Sequence, residues 1–377
     1  MIKNVLLAIF GVLVGAVIGY FFVFRTPIRT VLKISGNQSM GFLPYWLLGK
    51  ASTDYSKYLN GIYYFGLTVG DEGNIVKLAN PQEENPDWYA LKSGKADPYL
   101  KVAKNNHQTI SLVVFSGVNS SIGVLVSDPI KHADNLISDV TPIIKQYGFT
   151  DLNLDVEYID VASEGARANF TQFVREVKKN MVSLRLGTLS IDVSPTAFIK
   201  NYLVNPMEIA KFVDSMIIMG YDYHFQGSYV TGPVAPLFGA GVVSEYDIQT
   251  AVEKALTIIP ASKIILGIPL YGYEWETIGT DPRSPVIPGT GLIASSQRVS
   301  QLLNSCSTCS ARLDPVAQEK YLIYKDTETD SYHQIFYPDQ EIMKSKLEFA
   351  QKYNLAGVAL WALGYEDSTI LNPLKDY

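Results

Sequence analysis

Eight short apolar runs recur along the chain, separated by stretches with helical periodicity. They are SMGFLPYW from Ser39, GIYYFGLTV from Gly61, TISLVVF from Thr109 and DLNLDVEY from Asp151, then LRLGTLSIDV from Leu184, SMIIMGY from Ser215, KIILGIPLY from Lys263 and GVALWAL from Gly357. Several are apolar at both alternating phases, as parallel strands covered on both faces are. Between them Phe170, Phe173, Val174 and Val177 fall at helical spacing, and so do Ile248, Val252, Leu256 and Ile259. Gly148 is placed to stop the helix before the fourth run. Strands alternating with helices in this way predict an α/β fold, a (β/α)8 barrel over residues 39–377. A doubly wound open sheet is the rival, but it asks for a glycine-rich phosphate turn after the first strand, and FLPYW is not one.

The rhythm breaks between 276 and 339. Turn-rich GTDPRSPVIPGTG, an amphipathic piece near Leu302 and the strand-like KYLIYKD and YHQIFYP predict a small α+β insertion before the last barrel strand. Ahead of the barrel, Val5 to Phe24 is an uninterrupted uncharged run. As a helix it would span roughly 30 Å, the thickness of a hydrocarbon core. Tyr20, Phe21, Phe22 and Phe24 crowd the end where a signal peptidase needs small residues, so 1–25 reads as an uncleaved transmembrane anchor and 26–38 as a polar linker. Gly11, Gly15 and Gly19 recur every four residues, either as ordinary membrane-span glycines or as a face for weak self-association.

Charge narrows the partners. Lys plus Arg number 31 against 37 Asp plus Glu, and the body has no basic stripe, which excludes nucleic acid. The first 33 residues hold Lys3, Arg25, Arg29 and Lys33 and no acid, so the acidic excess belongs to the body. Basic residues flank both ends of the apolar run. A strict positive-inside count favours a cytoplasmic body, whereas the motifs below favour an extracytoplasmic one, which is the expectation adopted. Two cysteines exclude a disulfide-stapled scaffold. Cys306 and Cys309 form a lone C-S-T-C with no second pair for zinc, leaving a local disulfide or two free thiols. His107, His132, His224 and His333 show no ligand spacing; His224 belongs either to the cleft or to its rim. No metal or cofactor is expected.

The fourth run carries the chemistry. Side chains alternate along a strand, so Asn153, Asp155 and Glu157 share one face while Leu152, Leu154 and Val156 share the other. Two carboxyl groups crowded in one cleft cannot both ionise freely, so one keeps its proton towards neutrality. Glu157, nearest the mouth of a barrel, is the candidate acid, with Asp155 beneath it as partner.

This run resembles the signature of glycoside hydrolase family 18, the chitinases and related N-acetylglucosamine-cleaving enzymes, D-G-x-D/N-x-D-x-E. The match holds at Asn153, Asp155 and Glu157, while Thr150 and Asp151 replace the leading Asp and Gly. Met219-Gly220-Tyr221-Asp222 is similar to the family's M-x-Y-D, Trp361 to the Trp that floors its cleavage subsite, Tyr63-x-Phe65 to its Y-x-F, and Gly41-Phe42 to its first-strand G-Y/F. The third strand offers only Ser116-Gly117 in place of S-x-G-G. GPVAPL from Gly232, GIPLYGYEW from Gly267 and WALGYED from Trp361 resemble the bacterial cell-wall and spore-cortex branch.

The resemblance implies hydrolysis of β-1,4-linked N-acetylglucosamine polymers, chitin-like or peptidoglycan, with retention assisted by the substrate's own acetamide. It assigns catalysis to Glu157, Asp155 and Tyr221, and substrate binding to Asn153, Phe42, Phe65, Met219, Asp222, Tyr271 and Trp361. The alternatives are a non-catalytic, lectin-like barrel and a structural envelope partner. Lectin-like members lose the terminal glutamate, and Glu157 is present.

Overall fold

Each of the eight apolar runs supplies one strand of a closed parallel barrel. In this computed structural model, residues 37–306, 309–327 and 330–377 are described. The expected anchor and nearly all of the linker lie outside them. Among the described residues no helix is long and apolar enough to cross a membrane.

The strands are β1 (Gln38–Pro44), β2 (Gly61–Thr68), β3 (Leu78–Asn80), β4 (Glu83–Glu84), β5 (Thr109–Ser116), β6 (Asp151–Val156), β7 (Thr188–Val193), β8 (Ser215–Ile218), β9 (Ile264–Pro269), β10 (Tyr271–Thr277), β11 (Leu292–Ser295), β12 (Arg312–Asp314), β13 (Glu319–Lys325), β14 (Tyr332–Tyr337) and β15 (Gly357–Trp361). The barrel runs β1-β15-β9-β8-β7-β6-β5-β2, so neighbours in sequence are neighbours in space, and a small β3-β4 pair lies outside it.

The two faces of β6 show why the barrel closes. Leu152, Leu154 and Val156 share one buried cluster with Phe170, Phe173, Val174 and Val177 of the helix Glu164–Leu184. Each such side chain removed from water contributes ~1.5–3 kcal/mol. The barrel interior is filled instead by Met40, Phe42, Tyr63, Phe65, Val113, Ile217, Ile265 and Ala359. The helix Pro129–Tyr147 starts on an Asp128 cap, with Pro129 in its first turn, and ends on Gly148 at φ 70°. That left-handed turn swings the chain into β6.

The fifth run departs from its expected extent. Leu184 closes the preceding helix, Arg185 sits at φ 56°, and Gly187 at φ 101° lies where a Cβ would meet the Thr150 carbonyl oxygen at 2.1 Å. The strand starts only at Thr188. The alternation of Leu184 and Leu186 mimics a strand, but the tight turn between helix and barrel uses those residues.

The insertion is a five-stranded sheet, β11-β10-β14-β13-β12, carrying the helix Ser296–Ser305. It begins at Tyr271, ahead of the expected 276, because GIPLYGYEW holds the end of β9 and the start of β10 with only Leu270 between them. One buried carboxylate ties the insertion together. Glu274 on β10 accepts from Arg298 Nη2 at 2.6 Å, the Tyr324 hydroxyl at 2.5 Å and His333 Nδ1 at 2.9 Å. Burial opposes its charge, but the bonds from His333, Tyr324 and Arg298 prevail and bring the carboxyl down to about 2. Cys306 and Cys309 are joined as a disulfide just past the helix.

Candidate active site

At the C-terminal ends of the barrel strands opens a cavity of about 370 Å³. Glu157, Asp192, Met219, Tyr221, Asp222 and Tyr246 are among the residues that line it. Glu157 directly follows β6, and its N–H continues the ladder to the Ser116 carbonyl at 2.9 Å. Its carboxyl is reached by solvent through the mouth, yet enough protein surrounds it to raise its pKa, with the Asp222 carboxylate adding to the effect. Glu157 is exposed at the mouth, and it and Tyr221 both line the cavity.

Below Glu157 the inward face of β6 is a ladder of polar groups. Asp155 is almost fully buried, its Oδ1 has no hydrogen-bond partner, and burial together with Glu157 and Asp192 holds it well above the usual carboxylate range. Asn153 has no exposed surface, and its Nδ2 donates to Ser190 Oγ at 3.1 Å and Asp192 Oδ1 at 3.0 Å. Asn153 therefore holds its neighbours, a correction to the expectation that it binds substrate. At the floor, Asp151 accepts from Ser111 Oγ at 2.6 Å, Thr188 Oγ1 at 2.6 Å and Ser190 Oγ at 2.7 Å. Burial outweighs those three bonds and pushes its carboxyl up to about 6.

The opposite wall comes from the Met219-Gly220-Tyr221-Asp222 turn after β8. A Cβ on Gly220 would lie 2.6 Å from the Gly267 carbonyl oxygen, so only glycine lets this turn lie against β9. Asp222 adopts φ 60°, a strained position for a side-chain-bearing residue. It is braced there by the Tyr271 hydroxyl at 2.5 Å and the Tyr273 hydroxyl at 3.2 Å. Tyr271, expected to reach a sugar, is buried and spends its hydroxyl on Asp222. Burial and the neighbouring carboxylates keep the Tyr221 phenol far above its ordinary pKa, so it is a hydroxyl donor at every working pH.

Trp361 ends β15 half-buried. Its ring lies 4.8 Å from Phe65 and 5.5 Å from Phe42, both edge-on, and 6.4 Å from Trp46. Phe42 and Phe65 are buried and pack against the indole, a second correction to the expected substrate contacts; Trp361 itself is not among the residues that line the cavity holding Glu157. The His224 ring donates Nδ1–H to the Pro233 carbonyl at 2.8 Å and takes no place in the cavity lining. Among the described residues no three His, Cys, Asp or Glu side chains group so as to hold a metal ion.

Two residues escaped the sequence reading. Trp46, half-exposed beside Trp361 and Phe65, lies in the short helical turn Tyr45–Leu47 after β1. Asp192 reaches the cavity from β7. Its signal was present: Ser190 and Asp192 are two polar residues in the same phase of an otherwise apolar run.

The family model for glycosyl hydrolases family 18 matches residues 46–366. The cortical fragment-lytic enzyme of Bacillus subtilis (strain 168) is 26% identical over 331 residues, covering 84% of this chain and 67% of that relative. Among solved structures, Ostrinia furnacalis Group IV chitinase in complex with allosamidin aligns with TM-score 0.76 at 20% identity, over 90% of this chain and 97% of that one. The Bacillus cereus spore cortex-lytic enzyme SleL gives 0.69 at 19% identity, over 90% and 74%. At these identities the two structures speak to the fold.

Proposed function

The chain belongs to glycosyl hydrolases family 18 and is a glycoside hydrolase, and from that premise we propose that it cleaves β-1,4-linked N-acetylglucosamine polymers with retention, the substrate's own acetamide acting as nucleophile. The observation that carries this reading is the shared cavity of Glu157, Tyr221 and Asp222, with Asp155 beneath on the same inward face of β6. Glu157 keeps its proton towards neutrality and delivers it to the glycosidic oxygen as the bond to the anomeric carbon breaks. The acetamido carbonyl oxygen bonds to that carbon, leaving an oxazolinium ring. Residues two apart on a strand lie about 6–7 Å apart, so Asp155 supports this charge and does not attack. It accepts the acetamido N–H, while the Tyr221 hydroxyl donates to the acetamido oxygen. Glu157, now a carboxylate, takes a proton from the water that opens the ring. Trp361 supplies an apolar floor for the sugar.

Peptidoglycan is the polymer favoured over chitin, supported by the Bacillus relative named for cortical fragments and by the GPVAPL and WALGYED motifs. The leader anchors the chain with its body outside the cytoplasm; the Cys306–Cys309 bond supports this, since such bonds persist in oxidising compartments. Protease shaving of intact cells tests the sidedness.

The function is tested by incubating the full chain with N-acetylglucosamine oligomers and, separately, with muropeptides, beside Glu157→Gln. The parent is expected to hydrolyse one or both, and the variant to bind them with turnover lowered by ~10³-fold or more. Equal product from both proteins removes Glu157 from its role.

A further inference from the structure

A carboxyl group from outside the family motif stands in the reaction centre. β7 lies beside β6 with Asn153 paired to Ser190 and Leu154 to Ile191, and this register brings Ser190 and Asp192 in beside Asn153 and Asp155. Asp192 is 4% exposed and lines the cavity that contains Glu157 and Tyr221.

The two buried aspartates are not equivalent. Asp192 Oδ1 receives the Asn153 amide at 3.0 Å, whereas Asp155 Oδ1 has no partner. A donor aimed at a carboxylate favours its charged form, and a bare buried oxygen favours the protonated one. Asp192 therefore ionises ahead of Asp155. The titratable groups around it are Asp151 and Asp155 on β6, Glu157 directly after it, Tyr63 on β2 and Tyr221 after β8. None of these is a cation, so nothing among them cancels its charge. Burial holds Asp155, Glu157 and Asp192 all above the usual carboxylate range, and neighbouring carboxylates add to it: Glu157 and Asp192 at Asp155, Glu157 and Asp151 at Asp192, and Asp222 at Glu157.

We propose that Asp192 is a positioning residue of the reaction centre, whose charge keeps the protons on Asp155 and Glu157 to higher pH than β6 alone would. The inference rests on the roles given above to those two residues. In a bell-shaped profile the acid limb then reports ionisation of Asp155 against a charged Asp192, and the alkaline limb reports loss of the Glu157 proton against both. Removing Asp192 lowers both.

The test compares the full-length parent with Asp192→Asn and Asp192→Glu, measuring kcat and KM on an N-acetylglucosamine oligomer from about pH 3 to 9. The asparagine keeps an acceptor for Asn153 and deletes the charge. Both limbs are expected to move about one pH unit or more toward acid, with KM within about threefold, while Asp192→Glu keeps both limbs in place. Limbs that superimpose on the parent's, or that move toward alkaline pH, overturn the proposal. Should Asp192→Asn not fold, Asp192→Ser, which also deletes the charge, has the same expected outcome. A parent inactive on N-acetylglucosamine oligomers and muropeptides alike overturns both this and the proposed function; a parent active on either, with unmoved limbs on that substrate, overturns this inference alone.

Discussion

Asp151 sits at the floor of the barrel, accepting bonds from Ser111, Thr188 and Ser190, yet burial pushes its carboxyl from an ordinary 3.8 to about 6. An acid raised on folding binds its proton more tightly in the native state. The native state is therefore favoured at low pH, and stability is lost as pH rises through about 6. The displacement is about two pH units at ~1.4 kcal/mol each, or ~3 kcal/mol in all. Asp151→Asn removes the titration and leaves an amide for the same hydroxyls. The difference in unfolding free energy between variant and parent is expected to grow in the variant's favour by ~3 kcal/mol between about pH 4 and pH 8. In a chain of this size that is a Tm gain near 4 °C at the upper end, readable by thermal or urea unfolding across the range. A flat difference curve, or one sloping the other way, would show that the three hydroxyls hold the charge at no cost, and would refute the reasoning.

Glu274→Gln takes the charge out of the Arg298, Tyr324 and His333 cluster, and is expected to cost ~3 kcal/mol at neutral pH by denaturant unfolding. Because this carboxyl is lowered to about 2, its contribution is present above about pH 4.5 and fades as pH falls through 2; a loss under ~1 kcal/mol at pH 7 would count against the cluster. Trp361→Ala leaves Phe42 and Phe65 without the ring they brace, and kcat/KM on N-acetylglucosamine oligomers should drop on the order of 100-fold; an unchanged value would remove the indole from the cleft floor.

The barrel was legible because its evidence is local. Alternation of period two placed Leu152, Leu154 and Val156 against the helices and Asp155 and Glu157 toward the mouth, and no knowledge of neighbouring strands was needed. The same locality misled at Leu184, where apolar alternation continued through a turn made by Arg185 and Gly187. It also hid the start of the insertion inside GIPLYGYEW.

What the chain determined by itself was the set of strands, their inward phase and the acid at the end of the fourth. What only the tertiary structure decided was which of the inward residues touch the cleft. Phe42, Phe65 and Asn153 share that phase, but packing buries them as supports for Trp361 and Asp192, as it buries Tyr271 of the insertion as a support for Asp222. Asp192 enters because the register between β6 and β7 sets it beside Asp155, though 37 positions separate them in the chain. A strand's own pattern specifies which way a side chain points; the depth at which it meets its neighbours is set by pairing with other strands, and that is a property of the closed barrel.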